Sequence, residues 1–197
     1  MMLIEETTVP DAALPVEQFK SHLRLGTGFA EDDVQDAVLH SFLRAAVAAI
    51  EARTGKVLIA REFSWTVNGW RDRSGEVLPV GPVRAVTRIV LCDATGSETV
   101  LDQASYRLEQ DGQRPRLRPA GALLPTIATG GSAKIVMDVG LANEWGGLPA
   151  DLVQAVLLLA AHYYEYRNET SLGDGCMPFG VTSLIQRYRT LRIGAAR

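Results

Sequence analysis

The chain has 197 residues, of which 47% are hydrophobic and 22% charged, and its formal net charge is -3. This composition is typical of a folded globular protein, and the small negative charge excludes a chain drawn to nucleic acid by its overall charge. No apolar run reaches the length of a membrane span, and the start MMLIEETTVP lacks the basic region of a secretory signal.

The charge is unevenly distributed along the chain. Through residue 60 the chain has nine acidic and five basic residues. The stretch after Asp174 has no acidic residue and four arginines: Arg187, Arg189, Arg192 and Arg197. A basic end of this kind favours an acidic partner surface or phosphate. The alternative is an ordinary solvated chain end.

The two cysteines, Cys92 and Cys176, lie far apart and form neither a CxxC motif nor a zinc-binding spacing. We therefore expect reduced thiols in a cytoplasmic protein. The sequence predicts no cofactor and no metal.

The first 55 residues are predicted to be helical. Val16, Phe19 and Leu23 have helical spacing and predict a short helix over residues 16–25, with Gly26 at its end. A long helix follows, with acids at its start and Gly55 at its end. It carries two apolar stripes, which predict packing on more than one neighbour: Val34, Val38, Phe42, Ala45 and Ala49 in one, and Leu39, Leu43, Ala46 and Ile50 in the other.

Residues 56–140 are predicted to form an inserted antiparallel β domain. VLIAREFSWTVNGW, VRAVTRIVLCD and SAKIVMDVG are rich in β-branched and aromatic residues and partly alternate apolar with polar residues. DATGSET predicts a hairpin turn, and YRLEQDGQRPRLRP predicts a further strand pair around Asp111.

Residues 141–170 return to helix, and residues 171–197 form a C-terminal segment. Pro149 and Asp151 mark the start of a helix that is apolar nearly all round from Leu152 to Tyr164. Such a helix is either the buried axis of its own fold or partly covered by a neighbouring subunit. The predicted fold class is α+β, a small bundle of N- and C-terminal helices with an inserted antiparallel β domain.

Enzymatic motifs are weak. His162 and Glu165 share a helix face, but no further residue completes a metal site or an acid/base set, and a packed histidine is the simpler interpretation. No serine lies in a GxSxG elbow, and TGGS at 129–132 lacks the lysine of a phosphate-binding loop. We expect a protein without enzymatic activity.

Tyrosine and arginine cluster near the end of the chain, and both are enriched at protein interfaces. The alternatives are ordinary core tyrosines with solvated arginines, or stacking of single-stranded nucleic acid on the rings. We take Tyr163, Tyr164, Tyr166 and Arg167 as candidates for an interface between subunits.

The succession of PVEQFKSHLRL, AAIEARTGKVLI, FSWTVNGW, LPVGPVRAVTRIVLCDATGSETVL, GLPADLVQAVLLLAAHYYEYR and PFGVTSLIQRYR resembles the phage head-tail connector (adaptor) family. The resemblance runs from about residue 15 to 189 and is closest to a subgroup described from a Burkholderia phage. Similar proteins occur in phage-derived gene transfer agents.

The resemblance implies a virion protein of the particle neck, assembled in the bacterial cytoplasm. It also implies a ring, a dodecamer in the family, between the portal protein and a tail-side connector or stopper. DNA would pass through the channel without specific binding, and no membrane would be involved. The resemblance also implies that the C-terminal segment reaches the portal; our candidate contacts there are Phe179, Leu184, Arg187, Tyr188, Arg189, Leu191, Arg192 and Ile193. The alternative functions are a nucleic-acid-binding module that uses the basic tail and a small hydrolase or metalloprotein that uses His162 and Glu165.

Overall fold

The computed structural model describes residues 1–25, 33–167 and 177–189, and it confirms the α+β fold class. The helices are α1 (Val16–His22), α2 (Asp33–Thr54), α3 (Ala150–Glu165) and α4 (Phe179–Ile185), with short 3-10 turns at Asp11–Ala13, Gln103–Ser105, Trp145–Gly147 and Gln186–Tyr188. The strands are β1 (Met2–Glu5), β2 (Arg61–Val67), β3 (Glu76–Val77), β4 (Val83–Cys92), β5 (Glu98–Val100), β6 (Tyr106–Glu109), β7 (Arg116–Pro119) and β8 (Ser132–Val139).

The chain divides into two compact units. One is built from Met1–Thr8 and Ile59–Asn143 and contains the strands. The other is built from Val9–Leu58 and Glu144–Arg197, and its described residues contain α1, α2, α3 and α4. None of the described helices is long and apolar enough to cross a membrane.

The strand unit holds two antiparallel sheets. The larger has the order β1-β2-β8-β4-β5, and the smaller has the order β3-β7-β6. The last strand of the segment, β8, lies at the centre of the larger sheet between β2 and β4. Its burial alternates at both ends, but Ile135, Val136 and Met137 are all buried, because a central strand is covered on both faces.

The predicted hairpin turn after β4 is confirmed. Oδ1 of Asp93 accepts hydrogen bonds from the backbone N–H groups of Thr95 at 2.8 Å and Ser97 at 2.9 Å, and from the Thr95 hydroxyl at 2.7 Å. Gly96 takes a φ of +86°, which a residue without a side chain adopts at no steric cost. These hydrogen bonds, the Thr95 hydroxyl's first, hold the pKa of Asp93 below its ordinary value.

Strand β1 was not predicted from the sequence. Its four residues pair with β2, from Met2 opposite Thr66 to Glu5 opposite Phe63, and every one of them is exposed. A four-residue strand that is exposed on both faces has no hydrophobic periodicity to detect. Only its pairing partner, some sixty residues away, defines it as a strand.

In the helical unit, Gly55 ends α2 at a φ of +68°, as the sequence predicted. Helix α1 is shorter than predicted, since it ends at His22 and Arg24 takes a left-handed φ of 55°. Gly26, the expected end of α1, lies outside the described residues.

Helix α3 packs against α1, α2 and α4. Leu152, Ala155, Val156, Leu159 and Ala160 on α3 are fully buried, and so are Leu43, Ala46 and Ile50 on α2. A helix with neighbours on several sides needs apolar residues on most of its circumference. The apolar sequence of α3 is therefore explained by its position as the axis of its own unit.

Candidate functional site

The C-terminal end of α3 carries the aromatic cluster. The ring of Tyr164 meets the ring of Phe42 on α2 edge to face, with centroids 5.9 Å apart and planes at 84°. The guanidinium of Arg167 lies 4.8 Å from the centre of the Tyr164 ring. Tyr164 thus joins α3 to α2 within one chain, and Arg167 covers the Tyr164 ring. Tyr164 remains only half-buried.

The same surface continues along α2. Of the two apolar stripes predicted there, the one with Leu39, Leu43, Ala46 and Ile50 is buried, whereas Val38 on the other stripe is 44% exposed. Phe42 is half-buried and Ala45 is exposed. An apolar strip beside an aromatic ring is thus left open on the helical unit.

His162 belongs to the cluster through ring contacts. Its ring centroid lies 4.7 Å from that of Tyr166 and 6.4 Å from that of Tyr163. Burial raises the pKa of the Tyr163 hydroxyl. Tyr166 is 45% exposed, and Glu165 is exposed beside it. Within the described residues, no group of three histidine, cysteine or acidic side chains could hold a metal ion.

Helix α4 presents two different faces. Val181 and Ile185 are fully buried, and α4 packs on α3, so this face fixes the helix to its unit. Phe179, at the first position of α4, is 88% exposed. A phenylalanine ring in water is unfavourable by about 2 kcal/mol relative to a buried one. Among the predicted portal contacts that the structure describes, this ring is the most exposed apolar side chain.

Arg187 and Tyr188 form a network with Asp151 in the first turn of α3. The Tyr188 hydroxyl donates to Oδ1 of Asp151 at 2.8 Å, and Nε of Arg187 lies 2.8 Å from Oδ2. Nη2 of Arg187 also donates to the Tyr188 hydroxyl. Burial is the first cause that raises the pKa of Tyr188, and the hydrogen bond to Tyr188 is the first that raises the pKa of Arg187. The network therefore ties the residues that follow α4 to the first turn of α3.

The predicted portal contacts fall into three groups: exposed or half-buried residues, residues bonded to Asp151, and residues outside the described part of the chain. Phe179 and Arg189 are exposed, Leu184 is half-buried, and Arg187 and Tyr188 are engaged with Asp151. Leu191, Arg192 and Ile193 lie outside the described residues. Sequence reasoning assigned Asp151 only a place at a helix start, because nothing in the sequence connects it to residues 36 and 37 positions later.

We expect the Tyr188→Phe variant to unfold with a free energy about 1 kcal/mol lower, because the hydrogen bond to the Asp151 carboxylate and the one accepted from Arg187 are lost. Chemical denaturation measures this change. In the Asp151→Ala background the same substitution should cost far less, since the acceptor is already gone. Equal costs in the two backgrounds would show that the hydroxyl does not act through Asp151.

Solved structures contain chains similar to this one along its whole length. A chain of the virion of a native gene transfer agent particle is 50% identical, with a TM-score of 0.87, and the match covers 100% of this chain and 99% of that one. A chain of the neck of the empty particle, computed with C6 symmetry, is 51% identical, with a TM-score of 0.90 and 100% of both chains covered. The chain belongs to the family of gene transfer agent neck proteins.

A third similar chain, from the neck of the native particle computed with C12 symmetry, is 47% identical with a TM-score of 0.85, and all of both chains is covered. No family model and no curated protein matches the chain. The expected likeness to the connectors of phage-derived gene transfer agents is confirmed at the level of the particle neck. This neck protein is therefore a structural component of a particle and not an enzyme.

Proposed function

We propose that this neck protein is the head-tail adaptor of its particle, a ring of twelve copies between the portal protein and the tail-side connector or stopper. The observation that carries the proposal is the likeness of 47–51% identity over the full chain to chains of particle necks with sixfold and twelvefold symmetry. A ring in this position encloses the channel through which DNA leaves the head.

The surfaces of the helical unit supply two candidate contacts for such an assembly. The exposed Phe179 and Arg189, with residues 190–193 beyond them, are proposed to meet the portal. Phenylalanine and arginine are both enriched at protein interfaces relative to the rest of the protein surface. The open strip of Val38, Phe42 and Tyr164, with Tyr163, Tyr166 and Arg167, is proposed to lie between neighbouring subunits.

Removal of the gene from a particle-producing strain tests the adaptor role. We expect DNA-filled heads without tails, seen by electron microscopy, and restored tailed particles when the gene is supplied again. A strain without the gene that still makes intact tailed particles would exclude the proposal. Supplying the natural chain and, separately, the Phe179→Ala variant tests the proposed portal contact. The natural chain should restore tailed particles, and the variant should restore fewer of them.

Binding of nucleic acid by the basic tail is the other function considered. Arg187 and Arg189 are both exposed in the described part of the tail, and Arg187 is paired with Asp151. Binding through phosphates would weaken steeply as salt is raised and would fall when Arg189 and Arg192 are replaced. The structure favours the adaptor, in which DNA passes without specific contacts.

A further inference from the structure

The larger sheet has two edges, β1 and β5, at which the described part of the chain provides no further strand. At β1, the backbone N–H of Glu6 donates to the carbonyl of Glu62 at 2.9 Å. Hydrogen-bonded residues alternate along an antiparallel ladder, so the backbone N–H and C=O groups of Ile4 and Met2 also point toward β2. The backbone groups of Leu3 and Glu5 therefore point away from the sheet.

The same reasoning applies to β5 at the opposite edge. The N–H of Leu101 donates to the carbonyl of Ile89 at 2.9 Å, and the N–H of Asp93 donates to the carbonyl of Ser97 at 3.0 Å. Thr99 lies midway between these two hydrogen-bonded residues of the strand, so its backbone N–H and C=O groups also point toward β4. The backbone groups of Glu98 and Val100 therefore point outward, as those of Leu3 and Glu5 do at β1.

One row of side chains crosses the sheet from edge to edge on a single face. It runs through the paired residues Met2, Thr66, Lys134, Val90 and Val100. Its two ends are apolar and lie open to solvent, Met2 at 56% and Val100 at 60% exposure. A strand beside either edge would cover the side chain at that end and pair the outward backbone groups.

Edge strands of soluble proteins are usually kept very short or guarded by charged side chains, proline or a bulge, and β1 and β5 are short, at 4 and 3 residues. Strand β1 reads Met2-Leu3-Ile4-Glu5 and has neither a lysine nor a proline, and Glu5 is held by Arg61, whose Nε lies 2.8 Å from its Oε1. Such an edge is suited to pairing with another strand.

We propose that β1 of one copy pairs with β5 of the next copy, so that the larger sheets form a continuous belt around the ring. This inference rests on the proposed ring. Two β1 edges cannot pair with each other there, because that contact needs a twofold axis, which a purely cyclic ring lacks. Head-to-tail assembly needs two different surfaces that fit, and the sheet supplies both.

The topology also sets the direction of the contact. Each strand of the larger sheet is antiparallel to the next, so in an order of five strands β1 and β5 run the same way. Neighbours related by the rotation of a ring keep that direction, and β5 and β1 of adjacent copies pair in parallel. In a straight continuation of the rows, Val100 lies beside Met2 of the next copy.

Disulfide crosslinking tests the proposal in assembled particles. The variant combines Met2→Cys and Val100→Cys with Cys92→Ser and Cys176→Ser, so that each copy carries one cysteine at each edge. Adjacent strands lie about 4.8 Å apart, within the range of about 4.4–6.8 Å that a disulfide spans between Cα atoms. We expect mild oxidation to give a ladder of covalent oligomers on a gel without reductant.

The controls are the two single-cysteine variants in the same background, which should give no ladder because identical edges do not meet. A second double variant, Ile4→Cys with Val100→Cys, places the cysteine two residues further along the same face and detects a shifted register. Electron microscopy of the same particles shows whether the ring is present. Rings without a ladder in either double variant would overturn the edge pairing and leave the adaptor role standing, whereas absence of a ring from particles with the natural chain would overturn both.

Discussion

Deletion of residues 179–197 is expected to abolish binding of the chain to its portal protein. The deletion removes the exposed Phe179, Arg189 and every residue beyond, which together make up the proposed portal contact. The natural chain should be retained by immobilised portal protein, and the truncated chain should pass through. Retention of the truncated chain at the natural level would place the portal contact elsewhere.

The deletion also removes the buried Val181 and Ile185, so a variant that does not affect the core is needed. Phe179→Ala changes a side chain that is 88% exposed and should leave folding intact. Loss of an aromatic anchor typically costs about 2 kcal/mol or more, which is a roughly 30-fold weaker affinity. The matched control is Leu123→Ala, another exposed apolar residue, 53% exposed and on the strand unit, which should bind the portal as the natural chain does.

The second large effect is expected on stability. Leu159 is fully buried and lies in α3, the helix that packs against α1, α2 and α4. Leu159→Ala should lower the free energy of unfolding by about 2–5 kcal/mol, from lost burial and the cavity left behind. Urea unfolding followed by circular dichroism measures the loss.

Leu158→Ala is the control for this prediction, because Leu158 is the adjacent residue on the same helix and is only partly buried. It has the same change in helix propensity and should cost clearly less. Equal losses for Leu158 and Leu159 would contradict the position of α3 as the axis of the helical unit. A loss of stability in the Leu159 variant alone would support α3 as the packed helix on which α4 rests.

Local signals predicted most of the secondary structure because they lie within a few residues of what they determine. Gly55 ends α2, and Asp93 with Gly96 makes the turn after β4, each through its own backbone preference and near neighbours. The position of β8 between β2 and β4 has no such signal, since it depends on pairings across the whole segment. Strand β1 was missed for the same reason, because only its pairing with β2 defines it.

The candidate site shows a similar division. Phe179 could be chosen from the sequence, but its exposure follows from the way Val181 and Ile185 orient α4 on α3. Arg187 and Tyr188 were chosen by residue type, and the structure directs both toward Asp151 instead of leaving them free. Residue type thus found the region, and long-range contacts determine which of its side chains are available to a partner.

The most direct test of the adaptor role is the mass of the purified chain, alone and mixed with its portal protein, measured by light scattering on a sizing column. The adaptor role predicts a complex heavier than the portal by twelve copies of the 21.4 kDa chain. A portal that elutes at its own mass, with the neck protein in a separate peak, would contradict it.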